Sequence, residues 1–447
     1  MALMPWARSC FFGWFCDSPC AASCCWAKRT QPCIGGCLPV SDAGAAKKIC
    51  YKEKKKTLNI LFLAYNYPHE LQPLTAPFCR DHALALSKAG HNVVVMAALP
   101  ITLRMGIKNW LKAFRAGSNS QTPVYDKGVE SYVFPFAAFP KMLRFNSWKR
   151  TRIIYRNANK LLENGRSFDF IHVHGFQAGG AAAIICKKWG IKFAITEHST
   201  LLAKNEIERK WEKFGYKVFQ AASLCIAVSR HFAIILGERF GLPFYYVPNV
   251  VNMAENLCES KISHDQIQIV SVGSLTQRKN HQRLLNAFLQ ARLHYPKINL
   301  QIVGSGEMKK QLVEFIRKNG LEQCVVLHGA VSRERVLQII ASSDLFALPS
   351  DVETFGVVLV EALYCGLPVL ATDCGGPGSI IEDDSIGLLT QNNDESFANG
   401  LLKIVERYRK GYYSQQGIID YAKQHFSPEV VVSQLERLYE DSGLICK

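Results

Sequence analysis

What most constrains this chain is a recurring order of short unbroken apolar runs and helix-periodic stretches. Leu58–Ala64 is one such run, with the length and continuity of a strand buried on both faces of a sheet. A loop with Pro68, Pro73 and Pro77 follows. Arg80–Ala89 then has helical periodicity and stops at Gly90, and His91–Met96 is a second run. Strand, helix, glycine stop and strand make a βαβ unit, which implies a parallel sheet because parallel strands need a crossover. Further strands are predicted at Phe170–Val173, Phe193–Thr196, Leu224–Val228 and Phe244–Val247. A second series opens at Ile267–Gly273 and continues through a helix at His281–His294 and a strand at Asn299–Val303. It adds strands at Val325–His328, Leu345–Leu348 and Pro368–Ala371.

Two such series in 447 residues predict an α/β protein of two Rossmann-like domains facing a cleft. The expected division is an extension over residues 1–56, a first Rossmann-like domain over 57–250 and a second over 251–447, whose last helix is a candidate to pack back on the first domain. In open α/β sheets ligands sit beyond the carboxyl ends of the strands, so function is sought in those loops. The longest apolar stretches, around Val93–Ile101 and Ala178–Cys186, reach about half of the roughly 18 residues a membrane span needs. Any membrane contact is therefore expected to be peripheral.

The net charge of +16 is unevenly spread: residues 1–56 contribute +6, residues 101–160 contribute +10, and the rest balances. A uniformly basic nucleic-acid binder would not show this, so no nucleic-acid partner is expected. Eight of the 16 cysteines lie in the first 56 residues, without the paired spacing and histidines of a zinc site. Asp17 and Pro19 break the apolar run that a signal peptide would need. The extension reads as a disordered tail or as an untranslated upstream start. The remaining cysteines are scattered singly, as reduced thiols of a cytosolic protein are.

The most informative segment is Pro349–Glu361, which leaves the strand at Leu345–Leu348 and enters a helix. Glu353 falls in the loop and Glu361 in the second helical turn, so both can face a ligand at the helix N-terminus, where the free N–H groups of Phe355, Gly356, Val357 and Val358 suit a diphosphate. This segment resembles the E-x7-E signature of the retaining group-one (family four) glycosyltransferases of GT-B fold. Val272-Gly273-Ser274-Leu275 with Lys279-Asn280 is similar to the family's donor-phosphate loop. Gly304-Ser305-Gly306 is similar to its G-x-G loop, and Leu327–Val331 to its F-x-G-x-V turn. Ala362–Val369 with Gly375-Gly376-Pro377 continues the match.

The resemblance implies a nucleotide-sugar donor as co-substrate and neither cofactor nor metal. It implies Glu361 on the ribose, Glu353 and the 355–358 backbone on sugar and phosphates, and Lys279, beside Arg278, on the departing diphosphate. Gly304, Gly306, Gly329 and Val331 would line the donor; taken alone, the glycines also read as simple turn formers. Ser274 stands where many members carry Arg, and Ser379 where a Glu is common.

In the first domain the resemblance is thinner. Tyr67–Phe78 resembles the family's opening loop with Ala76 in place of a glycine. Ile171–His174 resembles its H-x-H strand end, from which only one ring is expected to reach the cleft. Thr196-Glu197-His198 resembles its T-x-H, which implies His198 as a catalytic residue beside the sugar. The basic region 101–160 interleaves Arg104, Lys108, Lys112 and Arg115 with Trp110, Leu111 and Phe114. It reads either as an amphipathic helix resting on an anionic membrane surface or as a solvated insertion. The activity implied is sugar transfer to a carbohydrate or lipid-linked carbohydrate hydroxyl in capsule, exopolysaccharide or lipopolysaccharide synthesis, at the cytoplasmic face. A non-catalytic scaffold subunit, a sugar-nucleotide epimerase and a phosphorylase are the alternatives.

Overall fold

The computed structural model describes residues 56–445, apart from 71, 74, 116–122, 205 and 254–265. The cysteine-rich extension lies outside the described residues. The first sheet comprises β1 (Asn59–Ala64), β2 (Asn92–Ile101), β3 (Val124–Asp126), β4 (Val129–Ala137), β5 (Phe170–His174), β6 (Lys192–Glu197), β7 (Leu224–Ala227) and β8 (Tyr245–Tyr246). Their order is β3-β4-β2-β1-β5-β6-β7-β8, parallel except for the β3–β4 hairpin. The second sheet comprises β9 (Ile267–Val272), β10 (Ile298–Val303), β11 (Val325–Gly329), β12 (Leu345–Leu348), β13 (Val369–Thr372) and β14 (Gly387–Thr390). Its order is β11-β10-β9-β12-β13-β14, parallel throughout. Both sheets are doubly wound, with the order reversing at β1/β5 and at β9/β12, where a crevice opens for ligand.

The two series of apolar runs therefore become two sheets, with the unpredicted strands β3 and β14 added and three further differences. The region 101–160 is not one insertion: it supplies β4, fully paired with β2, between the helices Ile107–Arg115 and Leu143–Glu163. Pro135 and the alternation of buried and half-buried positions along β4 hide this strand from a search for continuous apolar runs. The predicted strand at Phe244–Val247 shrinks to the two residues of β8 at the far end of the sheet. The first helix begins at Pro77, earlier than its periodicity suggests, because proline suits a first position whose N–H has no intrahelical partner. Ala76, which caps it, holds the left-handed conformation at φ 47°.

The helix Pro428–Asp441 leaves the second half and covers the first. Val431, Val432, Leu435 and Tyr439 join the core built on Leu58, Ile60, Phe62 and Leu84. A second apolar cluster is continuous from Leu61 and Phe176 to Leu348 and Phe355, so the halves share buried surface as well as chain.

Candidate active site

The donor-side residues converge where β9 and β12 end. Lys279, in a single 3-10 turn after β9, pairs its Nζ with Glu353 Oε1, and Ser350 Oγ donates to the same oxygen at 2.8 Å. Both members of the pair are largely buried. The loop carrying Glu353 is fixed from below by Arg283, which donates to Pro349 O at 3.1 Å and Asn392 Oδ1 at 2.8 Å and pairs with Asp351 and Asp394. It is fixed from the side by the glycine pair, as Gly376 N donates to Glu353 O at 2.8 Å. A Cβ on Gly376 would lie 2.4 Å from Phe355 backbone atoms, so only glycine fits there.

Arg278 is turned to the backbone: its Nη1 lies 3.5 Å from Val352 O, and its own carbonyl accepts from Asp351 N at 2.8 Å. Phe355 is buried against Phe426, leaving only its backbone to the site. Gly356, at φ 104°, caps the helix Val357–Tyr364, and Val357 and Val358 occupy its open first turn. Glu361 follows in the second turn, buried. The predicted glycines divide. A Cβ on Gly304 would lie 1.8 Å from Gly273 O and one on Gly306 2.3 Å from Leu275 O, so both are required by the packing of the β9 loop on the β10 loop. Gly329, at φ 74°, ends β11 in open space and its carbonyl accepts from Gly304 N at 2.9 Å. Val331 packs half-buried on the shared core.

On the other side of the cleft the site is built of imidazoles. His172 and His174 sit two apart on β5, and the strand period of two puts both rings on one face, 4.6 Å between centroids. The expectation that the two rings point to opposite faces is thus corrected, and His172 lies deeper, with its nitrogens on Thr196 and Tyr439. His82, from the helix Pro77–Lys88, meets His174 edge-on at 4.6 Å, and His174 Nδ1 shares a 2.9 Å hydrogen bond with His198 Nε2. His198 also lies over Phe78 at 4.5 Å. Burial lowers His82 and His198 to about 3 and carries His172 and His174 well below their ordinary value, so the cluster is neutral at neutral pH.

The loop after β6 is held by Glu197, whose carboxylate accepts from the backbone N–H of Phe176, His198 and Ser199 at 2.8–2.9 Å. Burial still pushes this carboxyl up to about 7, with those hydrogen bonds opposing. Glu197 and His82 were not singled out from sequence. A carboxylate directly before His198 was a usable signal, whereas His82, 90 residues before β5, offered none.

Several contacts join the halves. Ser379, where the family often has Glu, accepts from Arg230 N at 2.9 Å, and Arg230 pairs with Glu382. Tyr439 OH shares a 2.7 Å hydrogen bond with His172 Nδ1. Arg333, the first residue of the helix Arg333–Ala341, bridges Asp81 Oδ2 at 2.8 Å and Glu361 Oε1 at 3.1 Å.

Comparison with known proteins bears on the family and the fold. The chain matches the family described as Glycosyltransferase Family 4 over residues 76–255 and that described as Glycosyl transferases group 1 over residues 253–425. A D-inositol 3-phosphate glycosyltransferase of Rhodococcus erythropolis is 26% identical over 348 residues, covering 71% of this chain and 78% of that protein. The phosphatidylinositol N-acetylglucosaminyltransferase gpi3 subunit of Schizosaccharomyces pombe is 25% identical over 324 residues, covering 70% and 69%. Among solved structures, sucrose-phosphate synthase from Thermosynechococcus elongatus superposes with a TM-score of 0.66 at 17% identity, covering 85% of this chain and 98% of that one. Anabaena HepE in complex with UDP and glucose gives 0.64 at 19% identity, with the same coverage. With two adjoining family matches and a shared two-sheet architecture, the chain belongs to the group-one, family-four glycosyltransferases and has the GT-B fold.

Proposed function

We propose that this protein transfers a sugar from a nucleotide-sugar donor to an acceptor hydroxyl with retention of anomeric configuration and without a metal. The observation that carries this reading is the Lys279–Glu353 pair at the β9/β12 crevice, with Glu361 in the second turn of the helix that follows. In this reading Glu361 accepts from the ribose hydroxyls. The diphosphate lies against the first turn at Val357 and Val358, and Lys279 exchanges Glu353 for the departing phosphate. The bond from the anomeric carbon to the diphosphate breaks as the bond to the acceptor oxygen forms. The acceptor proton passes to the phosphate oxygen that leaves. Catalysis then rests on orientation and on fixed positive charge where negative charge develops. Neutral His198 supplies a hydrogen bond to the sugar without adding charge, and the nitrogens of His172 are engaged by Thr196 and Tyr439, which suits metal-independence.

For the acceptor we propose a carbohydrate or lipid-linked carbohydrate of a surface polysaccharide or glycolipid, with the protein peripheral at the cytoplasmic face of the membrane. Two features support this. Among the described residues no helix is long and apolar enough to cross a membrane. The helix Ile107–Arg115 exposes Ile107, Leu111 and Phe114 beside Lys108, Lys112 and Arg115, with exposed Phe145 and Trp148 nearby in the chain. Such a basic, apolar surface suits anionic headgroups.

The test is thermal and chemical unfolding of the full chain with UDP, GDP, ADP and CDP, for the wild type and Glu361→Ala. A nucleotide at a hundred times its dissociation constant should stabilise the wild type by about 2.7 kcal/mol. Loss of that gain in Glu361→Ala identifies the donor class. A folded wild type that responds to none of the four removes the donor-site reading.

A further inference from the structure

Arg333 is in an unusual place. A cation at the first position of a helix meets the positive end of the helix dipole, so it is held there by other interactions. The interactions are two carboxylates from opposite halves of the molecule. Asp81, on the helix Pro77–Lys88, is 3% exposed, and Glu361, on the helix Val357–Tyr364, is 6% exposed. Each gives one oxygen to a different nitrogen of the same guanidinium: Asp81 Oδ2 to Nη1 and Glu361 Oε1 to Nη2. Glu361 therefore spends one oxygen on Arg333 and keeps Oε2 outside that bond.

We propose that Arg333 is a positioning residue of the donor site, holding Glu361 ionised with one oxygen committed and the other left to the ribose hydroxyls, while Asp81 anchors the guanidinium from across the cleft. The proposal rests on the reading of Glu361 as the ribose ligand.

The physical case is one of charge and direction. A buried carboxylate without a counter-charge takes up a proton, and a protonated acid has lost part of its capacity to accept from a diol. Burial, with Asp81 adding to it, holds the Glu361 carboxyl above its ordinary value, and Arg333 is the group that pulls it back. Asp81 is itself raised by burial and pulled back by Arg333, Arg80 and Lys127. Arg333 is thus the charge that both carboxylates depend on. Asp81 has a second effect. By holding Nη1 it orients the guanidinium so that Glu361 is met through Nη2 and a single oxygen.

The experiment is calorimetric titration of the full chain with whichever of UDP, GDP, ADP and CDP binds the wild type, between pH 6 and 9. The wild type should bind with little pH dependence. In Arg333→Met binding at pH 7 should fall by about tenfold, one unit of protonation equilibrium, and recover as pH rises and Glu361 ionises. Arg333→Lys should restore the flat profile, and Glu361→Ala should lose binding at every pH. Asp81→Asn should weaken binding by about threefold with the profile still flat, as the guanidinium closes on both oxygens of Glu361.

Wild-type affinity and a flat profile in Arg333→Met, alongside lost binding in Glu361→Ala, would overturn the proposal and leave the donor reading intact. Absence of binding by the wild type would overturn both. If Arg333→Met does not fold, Arg333→Lys decides: a strongly pH-dependent affinity there means that charge alone does not hold Glu361.

Discussion

The two sides of the cleft solve burial in opposite ways. The donor side buries charges and pairs them: Lys279 with Glu353, and Glu361 with Arg333, which also reaches across the cleft to Asp81. The acceptor side buries groups that could be charged and keeps them neutral, in the stack of His82, His172, His174 and His198. The difference teaches what each side is prepared for. An ion pair can exchange one partner for another anion with little reorganisation, whereas neutral imidazoles offer hydrogen bonds without adding charge.

The contrast can be broken most forcefully at Lys279. Lys279→Met leaves Glu353 buried beside Ser350 with no counter-charge, and should cost about 3–5 kcal/mol of stability. Adding Glu353→Gln should recover part of that loss, as denaturant unfolding of the single and double variants will measure. A cost near zero in the single variant would mean that the pair is effectively solvated, and the donor side would no longer differ from a surface.

On the acceptor side the corresponding probe is pH. The four histidines are depressed, so the unfolded chain binds protons that the folded one refuses, and stability falls as pH drops below about 6.5. Glu197 works the other way. Its folded carboxyl is raised to about 7, so its stabilising contribution is present at low pH and is lost as pH rises from about 4.5 to about 7. Relative to Glu197→Gln, the wild type should therefore gain about 3 kcal/mol between pH 7.5 and 4.5. Unfolding free energies of both proteins across that range measure the gain, and parallel curves would show that Glu197 does not titrate there.

The smallest effect sharpens the comparison at the loops. On the donor side the positive-φ positions include Gly329, Gly356, Gly375 and Asn280, a residue type that tolerates the left-handed region, whereas the acceptor loop asks the same of Ala76. A left-handed alanine costs about 1–2 kcal/mol, and glycine gives back roughly half through the freedom it adds to the unfolded chain. Ala76→Gly should therefore stabilise the protein by about 0.5–1 kcal/mol, read from the urea midpoint at unchanged slope.

The same contrast explains what could be read from the sequence. Glu353 and Glu361 lie eight apart in one strand-to-helix stretch, and Lys279, 74 positions before Glu353, was legible through the resemblance of its own loop. The doubly wound order was legible for the same local reason, since each βαβ unit is contiguous. Arg333 and Asp81 are 252 positions apart, and nothing in either neighbourhood announces the other. His82 is hidden by its helix, where an imidazole on a buried face looks like any other core residue. His172 and His174 were visible, and the error lay in the period: alternation places neighbours, not next-but-one residues, on opposite faces. β4 was missed because half-buried positions and Pro135 interrupt its apolar pattern.

The chain passes between the halves twice, once near Val250 and Val251 and again at Ser427, where the helix Pro428–Asp441 returns to the first half. A body suspended at two points has one easy rotation, about the line through them, and resists twisting about any other. Opening of this cleft should accordingly be a swing like that of a door on two pins. Such a swing changes the width of the gap between the histidine side and the carboxylate side while preserving their lateral alignment, so groups that face each other across the open cleft still face each other when it shuts.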